Sequence, residues 1–264
     1  MKILVCMKQV PAAATAGIDP LTKTIIRTGR SAVTNPFDLY ALQTALDIRK
    51  TAGGAVTCLT MGIPAAEKVL RDAVSRGADG GVLLSDRAFA GADTLATSYT
   101  LSLGVKKLGG ADLIVCGKMA VDGDTAQIGP ELAQHLGITH VSDVAEIVET
   151  ASDHLVVRRV WENTEQVLYV PLPALITVIK GSVLPDLPTV PGMLRGQRTV
   201  IPVWSAADLE ADVTRCGLKG SPTQVVRTFT PPARGQAQRL EGSPAEIAKA
   251  LKTICQEVPH GTNP

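Results

Sequence analysis

Apolar runs of strand length recur at residues 3–7, 55–61, 81–84 and 113–116, and between them apolar residues return every three or four positions, the spacing of a helix with one buried face. The helical stretches are 36–50, where Leu39, Leu42, Ala45, Leu46 and Ile48 form the stripe, then 65–76, 95–108 and 129–136. Continuous apolar strands alternating with such helices predict an α/β fold around a parallel sheet, because strands covered on both faces have no polar side to show. Asn35 and Pro36 suit the N-cap and first position of the first long helix. Ligands in open sheets of this kind sit beyond the carboxyl ends of the strands, which directs attention to residues 8–11, 61–64, 85–93 and 117–127.

From residue 141 the pattern changes. Segments 141–148, 155–160, 166–170 and 175–179 read as β segments joined by short polar turns, a meander covering one edge of the sheet. Residues 180–202 contain Pro185, Pro188, Pro191, Gly192, Gly196 and Pro202, and read as an exposed irregular loop. Its apolar members Leu184, Leu187, Val190, Met193 and Leu194 suit either a docking surface or a return onto their own domain. A polar arm over 219–242 leads to a last helix with Ser243 as cap, Pro244 at its first position and a stripe of Ile247, Leu251 and Ile254. An arm ending in an amphipathic helix suits wrapping a partner subunit.

The chemistry concentrates in residues 115–136, a buried strand, a loop of small and polar residues, and a helix beginning near Pro130. A helix start presents unpaired N–H groups and partial positive charge, so an anion is stabilised there without a basic side chain. Gly117, Gly123 and Gly129 let the backbone come close, while Asp122, Asp124, Thr125 and Gln127 offer hydrogen bonds to ribose, ribityl or adenine groups. Asp124 or Thr125 could also cap the helix. The plainer reading is an ordinary strand-to-helix turn, and the glycine spacing matches neither a dinucleotide fingerprint nor a P-loop. A second loop, 85–97, carries Arg87, Phe89, Thr94 and Thr97. It is either a long loop with a helix cap at Asp93 or Thr94, or a place where Arg87 meets a reduced flavin or a phosphate, Phe89 stacks on a ring, and Thr94 and Thr97 reach diphosphate or ribityl oxygens.

Composition narrows the classes. The 264 residues are 45% hydrophobic, 19% charged and 3% aromatic, with a net charge of +1, so neither a basic patch for nucleic acid nor a base-stacking platform is present. Cys6, Cys58, Cys116, Cys216 and Cys255 lack metal-ligand spacing and suggest a reducing compartment. His135, His140, His154 and His260 form no catalytic arrangement, and Glu131 suits the first turn of its helix rather than catalysis. The strand-like run directly after Met1 leaves no room for a targeting peptide, and no apolar run has membrane-spanning length, so the expected location is cytoplasmic without membrane insertion.

In combination, Val5-Cys-Met-Lys-Gln-Val10, Thr34-Asn-Pro-Phe-Asp38, Leu59-Thr-Met-Gly62, Leu70-Arg-Asp-Ala-Val-Ser-Arg-Gly-Ala-Asp79 and Gly117-Lys-Met-Ala-Val-Asp-Gly-Asp-Thr-Ala-Gln127 make the chain resemble the β subunit of electron transfer flavoprotein over nearly its whole length. The resemblance implies an adenine-nucleotide-binding, Rossmann-like α/β core over 1–140, a meander and partner-recognition loop over 141–218 completing the same domain, and an arm over 219–264 packing on an α subunit that carries FAD. It implies nucleotide contacts at Cys6, at Asn35, Pro36, Phe37 and Asp38, at Met61, and at Gly117, Lys118, Met119, Ala120, Val121, Asp122, Gly123, Asp124, Thr125, Ala126, Gln127 and Ile128. Arg87, Phe89, Thr94 and Thr97 join this set more weakly. Docking falls on Val190, Met193 and Leu194, with Arg195 and Arg198 in place of the family's lysines.

Simple members of the family hold AMP in this site. Bifurcating members hold a second FAD that takes electrons from NADH, sending one to ferredoxin or flavodoxin and one through the α-subunit FAD to an acyl-CoA dehydrogenase-type enzyme. Asp122-Gly-Asp-Thr-Ala-Gln127 and Ser85-Asp-Arg-Ala-Phe-Ala-Gly-Ala-Asp-Thr94 look like the bifurcating branch. Met119 replaces an expected glutamine and removes one amide. The alternatives are an electron carrier subunit with structural AMP, and a nucleotide-binding sensor resembling universal stress proteins, which would lack the docking segment and the arm.

Overall fold

A computed structural model describes residues 1–12, 32–227 and 239–257. Residues 1–226 and 227–264 form two separate compact units.

The first unit is built on one nine-stranded sheet. In chain order its strands are β1 (Lys2–Cys6), β4 (Ala55–Met61), β5 (Gly80–Leu84), β6 (Leu113–Gly117), β7 (Thr139–Thr150), β8 (His154–Trp161), β9 (Thr164–Pro171), β10 (Ala174–Val178) and β11 (Val203–Trp204). A two-stranded ribbon of β2 (Gln9–Pro11) and β3 (Ala32–Thr34) stands apart. Spatial order in the large sheet is β11-β5-β4-β1-β6-β10-β7-β8-β9. All pairs from β11 to β7 are parallel, and β7, β8 and β9 pair antiparallel.

Helices α1 (Pro36–Ala52), α2 (Glu67–Arg76), α3 (Thr94–Lys107) and α4 (Ile128–Leu136) connect the parallel strands. Alternate residues of β1 separate the two layers: Ile3 and Val5 join the core with Leu42, Leu46, Val69 and Leu70 of α1 and α2, whereas Leu4 and Cys6 join the core with Leu101, Val105 and Leu132 of α3 and α4. The chain runs from β1 to β4 and β5 on one side and then crosses to β6 on the other. This reversal at β1 and β6 makes their carboxyl ends the switch point of the sheet, where Cys6 pairs in register with Cys116.

Three readings of the pattern require correction. Segment 175–179 is not part of the meander: β10 returns to the parallel core between β6 and β7, and its fully buried Ala-Leu-Ile-Thr-Val run reflects cover on both faces. Residues 180–202 are not an irregular loop throughout, because α5 (Val190–Arg198) forms there with Thr189 capping the amide of Gly192 and Pro191 in the first turn. Its glycines permit packing: a Cβ on Gly192 would fall 2.1 Å from the Ser75 carbonyl oxygen, and one on Gly196 2.5 Å from that of Arg71, both on α2. Third, neither Asp124 nor Thr125 caps α4, which begins after Gln127 without a side-chain cap.

In the second unit α6 (Pro244–Glu257) carries the capping box, with the Glu246 carboxylate accepting from the amide and hydroxyl of Ser243 at 2.8 and 2.7 Å. Leu251 and Ile254 are exposed. The remainder of the arm, 228–238, and His260 lie outside the described residues.

Candidate functional site

The loop between β6 and α4 begins under tight control. Gly117, the last residue of β6, touches the start of α1 so closely that a Cβ there would lie 2.6 Å from Asp38 Oδ1 and 2.7 Å from the Phe37 carbonyl carbon. Asn35 occupies the N-cap position of α1 but makes no cap bond. Its Nδ2 donates to Asp38 Oδ1 at 2.8 Å and to the Met119 carbonyl at 2.9 Å, and its Oδ1 accepts from the Val121 amide at 3.2 Å. Asp38 Oδ2 accepts from the Lys8 amide at 2.7 Å. Lys8 Nζ then reaches Asp122 Oδ1 at 2.7 Å. Lys118 is tied by its amide to the Val178 carbonyl and by its ammonium group to Asp143 at 2.8 Å.

The far half of the loop is different. Gly123, Asp124, Thr125, Ala126 and Gln127 are exposed, and a Cβ on Gly123 would meet open space. Asp124 and Ala126 both adopt the left-handed region at φ 55°, which costs a non-glycine residue about 1 kcal/mol or more and is found where surrounding structure or a ligand holds the chain. The first-turn N–H groups of α4 follow directly. The small residues, open space and N–H groups fit a phosphate-bearing nucleotide. Two hollows, about 240 Å3 beside Thr44 and Ser182 and about 400 Å3 beside Tyr99 and Arg215, include no residue of this loop. The loop is an open surface, so concavity does not mark it; its chemistry does.

Cys6, Met61 and Gly117 end three neighbouring strands, β1, β4 and β6, and thus lie at one edge of the sheet. Burial pushes the Asp38 carboxyl up from 3.8 to about 7, against the lowering effect of its bonds from Asn35 and Lys8. The neighbouring Cys6 thiol and burial hold the Cys116 thiol well above its usual range.

Asp86, Asp93 and Thr94 of the 85–97 segment are engaged within the protein. Asp86 accepts from the amides of Ala88 and Ala206, and Asp93 caps α3 through the Ala96 amide while accepting from that of Thr223. Bonds from the Ala88 and Ala206 amides hold the Asp86 carboxyl below the usual range. Thr94 Oγ1 donates to Glu131 at 3.0 Å and Ser98 Oγ donates to the same carboxylate at 3.2 Å, so Glu131 clasps α3 to α4. Phe89 is 5% exposed within the core layer of α3 and α4, so its ring supports the fold instead of lying open for stacking. Arg87 is exposed and Thr97 partly buried.

On α5, Val190, Met193 and Leu194 are exposed, with Val190 at 72%. Arg195 does not extend as a free cation: its guanidinium donates to the carbonyls of Val74 and Ala78 at 2.8 and 3.1 Å. Arg71 of α2 reciprocates at the carbonyls of Gly196, Gln197 and Thr199. Arg198 is exposed.

Lys8 lies in the 8–11 stretch singled out at the end of β1 but not among the implied nucleotide contacts, and the structure adds its part as counter-charge to Asp122; the signal in the sequence was a carboxylate set in a loop of small residues.

An open parallel α/β sheet with a loop of small and polar residues at its switch point defines a broad class. Comparison with known proteins narrows it: residues 22–209 match the electron transfer flavoprotein domain. The chain is 44% identical to the electron transfer flavoprotein subunit beta of Clostridium acetobutylicum, covering 97% of this chain and 98% of that one. It is 45% identical to protein FixA of Bradyrhizobium diazoefficiens, covering 95% and 90%. Identity to the caffeyl-CoA reductase-Etf complex subunit CarD of Acetobacterium woodii is 42%, covering 97% and 98%. The chain belongs to the electron transfer flavoprotein β-subunit family. Membership brings an α-subunit partner and a role in electron transfer. Among the described residues no helix is long and apolar enough to cross a membrane.

Proposed function

We propose that this protein is the β subunit of an electron-bifurcating electron transfer flavoprotein, holding FAD at the 117–128 loop and accepting electrons from NADH. The observation that carries this reading is the contrast within the loop: its start is fixed by Asn35, Asp38 and Lys8, while Gly123 borders open space and Thr125 and Ala126 are exposed. A diphosphate and ribityl chain can continue there past an adenosine moiety. Cys6, Asn35, Pro36, Phe37, Asp38 and Met61 border the nucleotide, and the first-turn N–H groups of α4 take its phosphates. Arg87, exposed on the neighbouring loop, is the side chain suited to a reduced, anionic flavin.

Bound FAD supplies the electron-carrying chemistry. The protein's own residues bind, orient and set the electrostatic surroundings, and none acts as acid, base or nucleophile. With FAD held there, electrons would divide between ferredoxin or flavodoxin and, by way of the α subunit and its FAD, an acyl-CoA dehydrogenase-type enzyme. The relative named for a caffeyl-CoA reductase complex supports a partner of that kind. Val190, Met193 and Leu194 on α5 form its docking surface, with Arg198 as the cation that meets an acidic partner.

The test is flavin content of the purified heterodimer after acid release, followed by anaerobic titration with NADH. Two FAD per heterodimer, both reduced by NADH, is the expected result. One FAD with released AMP overturns it in favour of a simple electron carrier.

A further inference from the structure

We propose that the hollow between the first turn of α3 and residues 214–222 binds a nucleoside diphosphate, the ADP portion of the NADH donor, with Arg215 and Lys219 taking its phosphates and Leu95 and Pro222 flanking its base. The inference rests on the reading of NADH as electron donor and gives it a seat apart from the 117–128 loop.

The hollow has a volume of about 400 Å3, room for such a group, and is bordered by Leu95 and Tyr99 of α3 and by Arg215, Lys219, Ser221 and Pro222. The segment that carries both cations is pinned to the loop after β5 and folded back on itself. The Leu218 amide donates to the Ala90 carbonyl at 2.9 Å, and the Gly220 amide to the Cys216 carbonyl at 3.0 Å. Ser221 Oγ donates to the Gly217 carbonyl at 2.7 Å and accepts from the Asp93 amide at 2.8 Å. Gly217 sits at φ 54°, where a Cβ would run into the carbonyl oxygens of Ala88 and Ala90. The Arg215 guanidinium lies over the Tyr99 ring, 4.0 Å from its centre, and the Tyr99 hydroxyl accepts from the Asp212 amide at 3.1 Å.

Neither Arg215 nor Lys219 has a carboxylate within ion-pair distance among the described residues. The acids nearby are committed elsewhere: Asp212 accepts from the amide and hydroxyl of Thr214 at 2.9 and 2.6 Å, and Asp93 accepts from the amides of Ala96 and Thr223. Two like charges set four residues apart in a fixed turn repel each other, and a bound anion turns that cost into attraction. Arginine offers phosphate oxygens a fork of N–H donors and lysine a point charge. The same field reaches His135, whose ring meets Tyr99 edge-on at 6.1 Å: burial and then the Arg215 charge push its imidazole below the ordinary value. Thr94 and Ser98 of α3 donate to Glu131 in the first turn of α4, so the hollow stands one helix away from the nucleotide loop.

The test uses the FAD-loaded heterodimer. Arg215→Ala and Lys219→Ala should each raise the NADH concentration for half-maximal anaerobic flavin reduction about tenfold, the effect of one lost charge-assisted hydrogen bond, with FAD content equal to wild type. ADP should compete with NADH in the wild type. Should Arg215→Ala not fold, having lost its ring contact, Lys219→Ala carries the test. An unchanged NADH requirement in Lys219→Ala, or FAD lost from it, overturns the proposal. If NADH reduces no flavin in the wild type, the donor reading fails and ADP titration decides the hollow by itself: affinity about tenfold weaker in Lys219→Ala keeps a nucleoside diphosphate site there, and equal affinity or none overturns it.

Discussion

The two loops at the carboxyl ends of β6 and β5, 117–127 and 85–93, look alike in sequence and are held in opposite ways. The β5 loop is secured by its own polar residues: Asp86 and Asp93 each take two backbone amides, and Phe89 anchors it in the core. The β6 loop is secured by residues that belong to other segments, Lys8, Asn35 and Asp38, which leaves Asp124, Thr125 and Gln127 exposed. A carboxylate already accepting two backbone amides is scaffold. One whose loop is held by others is free to bind, and polarity alone does not distinguish the two.

The sharpest way to break the contrast is Gly117→Ala. The added methyl meets the backbone of Phe37 at 2.7 Å, and a loss of about 3 kcal/mol is expected by urea denaturation, with loss of nucleotide binding. Next comes the pH dependence of folding. Asp38 has a folded value near 7, raised from 3.8, so its contribution to stability is full below about pH 4, falls as pH rises, and is gone above about pH 7. Wild type should lose on the order of 4 kcal/mol between about pH 4 and about pH 8 relative to Asp38→Asn, which lacks this component. No such difference in urea midpoints would place Asp38 in contact with water. Asp93→Ala should cost about 1–2 kcal/mol through the lost α3 cap, yet leave AMP or FAD affinity intact; weakened binding would show the β5 loop to be more than scaffold. The smallest stability effect belongs to Arg87→Ala, within about 0.5 kcal/mol, with any change appearing in NADH reduction of the flavin.

Much of the parallel core was legible because β1, β4, β5 and β6 are continuous apolar runs and their helices keep one stripe. The placement of β10 was not, since an apolar run cannot say which neighbours it will have, and a segment after three meander strands reads as a fourth. Helix α5 was hidden by Pro191, Gly192 and Gly196, residues that mark turns in isolation but here supply a first-turn proline and two points of close approach to α2. The 117–127 loop was readable from its small residues and following helix. Its control was not, because Lys8, Asn35 and Asp38 are distant in sequence and Asn35 resembles an ordinary cap. The same limit applied to Arg195, expected in the docking set, whose guanidinium is instead held by the carbonyls of Val74 and Ala78.

The close seat of α5 on α2 has a kinetic consequence. Arg71 and Arg195 lock the helix at both sides of its contact, so Val190, Met193 and Leu194 are presented on a rigid body. A macromolecule that covers them finds the surface already ordered, and little chain entropy is lost on contact. A small apolar contact of that kind favours rapid exchange over long residence, which suits a carrier that must release one redox partner before meeting the next.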